Sequence, residues 1–151
     1  MRKSKRFEPI QEIASNSADQ LSQAMAEAGI KVTDLERQFE QLQSYRDEYL
    51  KNTAPATGAT DALKLQNYST FMGRLGEALR QHLKNLENAR AEYERRRALW
   101  SEKRIEAESL SRVVDRFRRE EQHAADRREQ REGDDAGLRS IVAARGESGS
   151  Y

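Results

Sequence analysis

The chain has 151 residues, of which 36% are hydrophobic and 35% charged, with 27 Lys+Arg against 26 Asp+Glu and a formal net charge of +1. A chain of this length buries a sizeable core only with apolar residues to spare, so a thick-cored enzyme is disfavoured, while near-zero net charge argues against a chain held open by self-repulsion. What is left is a long helix or coiled coil, rich in Ala, Glu, Arg, Leu and Gln.

Residues 1–6 carry +4, but no apolar run comes after them, so the start does not read as a secretory signal. Pro9 suits the first turn of a helix, and a first coiled-coil helix is expected over 7–51, interrupted by one glycine, Gly29. The stretch NTAPATGATD at 52–61, with Pro55 and Gly58, is loop chemistry, and Thr60 or Asp61 is placed to cap the next helix. That second, longer helix is expected over 62–132, interrupted only by Gly73 and Gly76. The tail, 133–151, holds four of the eight glycines and reads as flexible or disordered. No stretch approaches the length of a membrane span. The absence of cysteine suits a reducing cytoplasm without excluding a periplasm.

Periodicity makes the fold class specific. Alternate steps of four and three from Phe7 to Tyr49 pass through thirteen positions, eleven of them apolar or aromatic. A second seam from Leu65 to Phe117 passes through sixteen, thirteen of them apolar or aromatic. Heptads sustained over this length indicate coiled coil, so the fold class is all-α: two long helices in an antiparallel coiled-coil hairpin, the second longer. With the loop centred near residue 57, Phe39 faces Leu75, Ala28 faces Leu86, Leu21 faces Tyr93 and Ala14 faces Trp100. Small residues then oppose large ones, as a packed seam requires. In that register the second helix outruns the first from Glu106 onward, although its seam continues through Leu110, Val114 and Phe117. An apolar stripe on a lone charged helix asks for a partner. Charge is divided as well: 7–51 is net −5 and 89–131 is net +3, which helps to fix antiparallel register.

Catalytic signals are missing from the sequence. His82 and His123 are far apart and match no metal-ligand spacing, and Gly73 and Gly76 lack the context of a phosphate loop. Carboxylates on a two-helix rod have no pocket to shift them. No catalytic residue, cofactor or metal is expected. The arginine runs Arg95–Arg97, Arg116, Arg118, Arg119 and Arg127, Arg128, Arg131 suggest either a nucleic-acid face or a salt-bridged helix surface. Interleaved glutamates such as Glu92, Glu94, Glu120 and Glu121 favour the second. His82 is either a register-setting polar residue in the seam or a partner contact, because Phe71, Leu75, Ala78 and His82 form a second stripe one position off Met72 and Leu79. Gly73 and Gly76 beside it each cost about 1 kcal/mol relative to alanine, a cost retained where something approaches closely or the helix bends.

Taken together, certain residues resemble a known family. They are the basic start with Phe7 and Ile10, the cluster Leu42, Tyr45 and Tyr49, and the run Tyr68, Phe71, Leu75, Ala78, His82 and Leu83. Arg97 and Trp100, followed by Lys103, Leu110 and Arg112, complete them. Over roughly residues 5–131 the chain resembles the FliJ family of flagellar export proteins. The resemblance implies a soluble antiparallel coiled coil of the bacterial flagellar type III export apparatus, similar in fold to the shaft of rotary ATPases. It implies two partners, the flagellar export ATPase and the membrane export gate, with export chaperones as a further partner class. The location it implies is cytoplasmic, peripheral to the inner membrane at the flagellar base, with neither membrane insertion nor a nucleic-acid partner. It maps the gate contact onto Phe71, Leu75, Ala78 and His82, and the ATPase contact onto the open end near Phe7, Ile10, Trp100, Leu110 and Phe117. The role implied is a non-enzymatic stalk. A basic nucleic-acid binder, an export-substrate chaperone and a structural coiled coil self-associating through Leu110–Phe117 are the alternatives.

Overall fold

A computed structural model describes residues 2–53 and 62–148. Two helices account for them, α1 (Lys3–Thr53) and α2 (Ala62–Ser148), and they pack against each other along the two apolar seams. The expected loop is described only at Asn52 and Thr53, both within α1; Pro55, Gly58 and the proposed caps Thr60 and Asp61 lie outside the described residues.

Both helices exceed their expected bounds. α1 begins at Lys3, so the basic segment forms its first turn and Pro9 lies inside it. A proline there removes one hydrogen bond, the one Lys5 would receive, and otherwise keeps a helical φ. α2 continues past residue 132 to Ser148, through the segment read as a flexible tail. Gly133, Gly137 and Gly146 cost a helix about 1 kcal/mol each but do not forbid it, and no proline occurs after Pro55.

The chain divides into two compact units. In the unit Ser17–Glu102, the core is narrow and built of small residues against leucines: Ala18, Ala28 and Ala89 are buried with Leu75, Leu79 and Leu86. Gly29 lets the Tyr93 ring come so close that a Cβ added there would sit 3.4 Å from it. Arg96 occupies a seam position and spans the two helices, donating from Nη1 to the Ala24 carbonyl at 2.8 Å. Arg90 reaches Glu36 at 3.1 Å, a cross-helix ion pair of the kind the opposite charges of the two helices suggest. Near residues 45–71 four rings cluster: Tyr49 lies 4.4 Å from Phe71 and stacks on Tyr68 at 5.7 Å, and Tyr45 meets Phe71 edge-on at 6.3 Å.

In the other unit, Met1–Asn16 with Lys103–Tyr151, the start of α1 lies antiparallel to the middle of α2. Phe7 and Phe117 pack with centroids 5.4 Å apart. Val114 is the most buried side chain, 2% exposed. Glu8 accepts from Arg118 at 2.8 Å. Buried Ser4 donates to Glu121 twice, from its backbone N–H at 3.1 Å and its hydroxyl at 2.6 Å. The first turn of α1 has no acid of its own, so a carboxylate from α2 satisfies an orphan N–H and complements the helix dipole.

These contacts correct the expected register. Tyr93 sits against Gly29 rather than Leu21, a slide of about one heptad. A seam with a seven-residue repeat looks the same after such a slide, so periodicity alone does not choose between the two. The correction carries a second one. Residues 106–125 of α2 are not partnerless, since Val114, Phe117, Arg118 and Glu121 all meet α1 or lie buried beside it. The stretch without buried surface starts later: every residue from Asp126 to Glu147 is exposed.

Candidate partner-binding site

The residues of the proposed gate contact are partly spent inside the fold. Leu75 is only 7% exposed and belongs to the core. Phe71 is half-buried among Tyr45 and Tyr49. Ala78 and His82 are half-buried. His82 Nδ1 is itself buried and has no hydrogen-bond partner, a state that costs a buried polar atom free energy. Beside the stripe, a Cβ on Gly73 would meet nothing within 4 Å, and one on Gly76 only the tip of Arg80. Among the described residues, nothing makes the close approach that would explain these glycines.

The proposed ATPase residues fall in both units and are described unit by unit. Phe7 and Phe117 are half-buried against each other, and Leu110 is half-buried in the same unit. Ile10 stays 51% exposed. Trp100 is half-buried in the other unit. Reading the sequence singled out the rings but missed the polar clasp around them. Ser4 and Glu121 are 117 positions apart, and no local pattern links a serine to a glutamate at that distance.

Four of the nine arginines in the runs hold ion pairs among the described residues. Arg95 and Arg96 both bind Glu92, at 2.6 and 2.9 Å, and Arg97 faces Glu94 at 3.9 Å. Arg118 is held by Glu8 and faces Asp115 at 3.8 Å, and Arg127 donates to the His123 carbonyl of its own helix. Hydrogen bonds from Arg95 and then Arg96 lower the Glu92 carboxyl from 4.5 to about 2. That direction opposes general-base work near neutrality, which needs a raised carboxylate pKa. A groove of about 590 Å³ beside it is lined by Lys31, Leu35, Asn85, Ala89, Glu92 and Arg96. Among the described residues, no group of three or more His, Cys, Asp or Glu could hold a metal ion, and no helix is long and apolar enough to cross a membrane.

An antiparallel pair of long helices with apolar seams, ion-paired flanks and packed rings in each unit defines an all-α coiled-coil protein. The family model described as flagellar FliJ protein matches residues 3–146, nearly the whole chain. The chain belongs to the FliJ family, a structural component of flagellar protein export. No curated protein and no solved structure matches it.

Proposed function

We infer that this FliJ-family chain works as a non-enzymatic stalk of the flagellar type III export apparatus, one that binds the export ATPase ring and links it to the membrane export gate. The observation that carries the reading is the match over residues 3–146 to a chain whose two helices pack antiparallel within each unit. Such a pair transmits position, because each helix stiffens the other along the shared seam. The ATPase contact would use Phe7, Ile10, Trp100, Leu110 and Phe117, with Ile10 offering the most open apolar surface of the five. The gate contact would use the accessible edges of Phe71, Ala78 and His82, with Leu75 holding the stripe to the core. The location implied is cytoplasmic, peripheral to the membrane at the flagellar base.

Two experiments test the two ends separately. Turnover of the cognate export ATPase should rise when the protein is added, and the two should co-elute; no stimulation and no co-elution would remove the ATPase arm. The double variant Phe71→Ala/His82→Ala should weaken capture of the gate's soluble domain while leaving helicity intact. Undiminished capture would remove the gate arm. The nucleic-acid reading loses ground because Glu92, Glu94 and Glu8 occupy arginines of the first two runs.

A further inference from the structure

The two flanks of the Phe7–Phe117 contact are built differently. Arg116 and Arg118 lie one residue either side of Phe117, about 100° each way around α2. On the Arg118 flank the seam closes with an ion pair to Glu8 at 2.8 Å. On the Arg116 flank two cations converge on the same ring: Lys3 Nζ and Arg116 Cζ each lie 5.6 Å from the Phe117 centroid. The ring's face attracts each of them, but they repel one another. Like charges across a helix seam are destabilising.

The imbalance extends along both helices of this unit. Lys3, Arg6, Ile10 and Ile13 succeed one another on α1 at helical spacing, and all are exposed. Ile10 and Ile13 are 51% and 67% exposed. On α2, Arg112, Arg116 and Arg119 continue the basic side, again all exposed. Among the described residues none of these five cations has an ion-pair partner. Of the neighbouring acids, Glu8 is held by Arg118, Asp115 faces Arg118 and Glu121 is taken by Ser4; Glu12 and Glu120 remain beside the stripe.

We propose that the flank formed by Lys3, Arg6, Ile10, Ile13, Arg112 and Arg116 docks on an anionic phospholipid surface. A charged rim around exposed isoleucines matches a bilayer interface, which offers headgroup phosphates at the surface and hydrocarbon just beneath. A nucleic acid would use the cations but leave the isoleucines in water, and it would want rings for stacking; here Phe117 is covered by Phe7. Docking supplies the negative charge that the Lys3–Arg116 pair lacks, and it needs no spanning segment. The flank shares Ile10 with the ATPase contact proposed above, so the two partners would compete for that side chain, while the vesicle test involves this protein and lipid alone.

The test is flotation of the full chain with vesicles, either phosphatidylcholine alone or phosphatidylcholine mixed with phosphatidylglycerol. The protein should float with the anionic vesicles, stay behind with the neutral ones, and be released as salt rises. Removing two surface charges with Lys3→Gln/Arg116→Gln should weaken partitioning more than tenfold at unchanged circular dichroism, since each charge near an anionic surface is worth about fivefold. Ile10→Ser/Ile13→Ser should weaken it with every charge retained. The proposal is overturned by any of three results: no flotation with anionic vesicles at low salt, equal flotation of either double variant, or displacement of the protein from vesicles by DNA at matched phosphate. The last would make a nucleic acid the partner.

Discussion

α2 runs through two environments. Up to Ala125 it keeps a face turned to α1, with Leu75, Leu79, Leu86, Ala89 and Val114 buried along it. From Asp126 to Glu147 it keeps none, and Leu138, Ile141 and Val142 are exposed. The same secondary structure therefore has two sources of stability. The first stretch is held by burial, which dominates helical stability in folded proteins, whereas the second rests on propensity and side-chain pairs and is marginal in water on that basis.

Core truncation separates the two stretches most sharply. Leu86, 3% exposed, should lose about 2–5 kcal/mol of unfolding free energy as Leu86→Ala in urea titrations. Ile141→Ala should change it by less than about 0.5 kcal/mol. Comparable losses would mean that the 126–147 stretch is packed after all. A smaller effect is expected at Phe117→Ala, about 2 kcal/mol, because the ring is only half-buried and falls below the range for fully buried aromatics. Its loss should also free Phe7, read as a rise in hydrogen exchange confined to the first turns of α1.

Glycine replacement gives a smaller effect of opposite sign. Gly73→Ala adds a methyl into open space and should stabilise the helix by about 1 kcal/mol. If the glycine is retained for a docking partner, the same variant should bind that partner more weakly while melting higher. Gly29→Ala should gain less, because its methyl meets the Tyr93 ring at 3.4 Å.

The smallest effect expected is on acid titration. Glu92 is lowered to about 2 by Arg95 and Arg96, and Glu121 is lowered by the two hydrogen bonds from Ser4. Each folded pKa lies below its ordinary value near 4.5, so their contribution is complete above about pH 4.5 and is lost as pH falls through the folded pKa. Thermal melts should fall as acid is added below that point. Ser4→Ala should flatten the part of the fall that belongs to Glu121, and an unchanged profile would show that the clasp carries no linkage.

The fold was legible in the sequence because its information is repetitive. Two apolar seams and a proline-bearing break suffice for an antiparallel pair of helices. Register was not legible for the same reason, since a seam that repeats every seven residues matches itself one heptad away. What chooses the register lies in single contacts: Gly29 under Tyr93, Arg96 on the Ala24 carbonyl, Ser4 inside Glu121. Tyr93 and Arg96 are seam positions, but their partners Gly29 and the Ala24 carbonyl belong to no periodic pattern. The slide and the earlier start of α1 together moved the partnerless stretch from Glu106 to Asp126 and brought Phe117 into contact with Phe7. Of the candidate sites, the stripe Phe71, Ala78 and His82 was visible as spacing. The orphaned His82 Nδ1 was not, because it depends on what surrounds the ring.

The stalk reading rests on the protein acting on its ATPase without chemistry of its own. The most direct measurement is turnover of the purified export ATPase across a titration of this protein, with Ile10→Asp run in parallel. Saturable stimulation with co-elution, reduced by the Ile10 substitution at unchanged helicity, is the result predicted. Turnover independent of the protein at every ratio, with the two eluting apart, would contradict it.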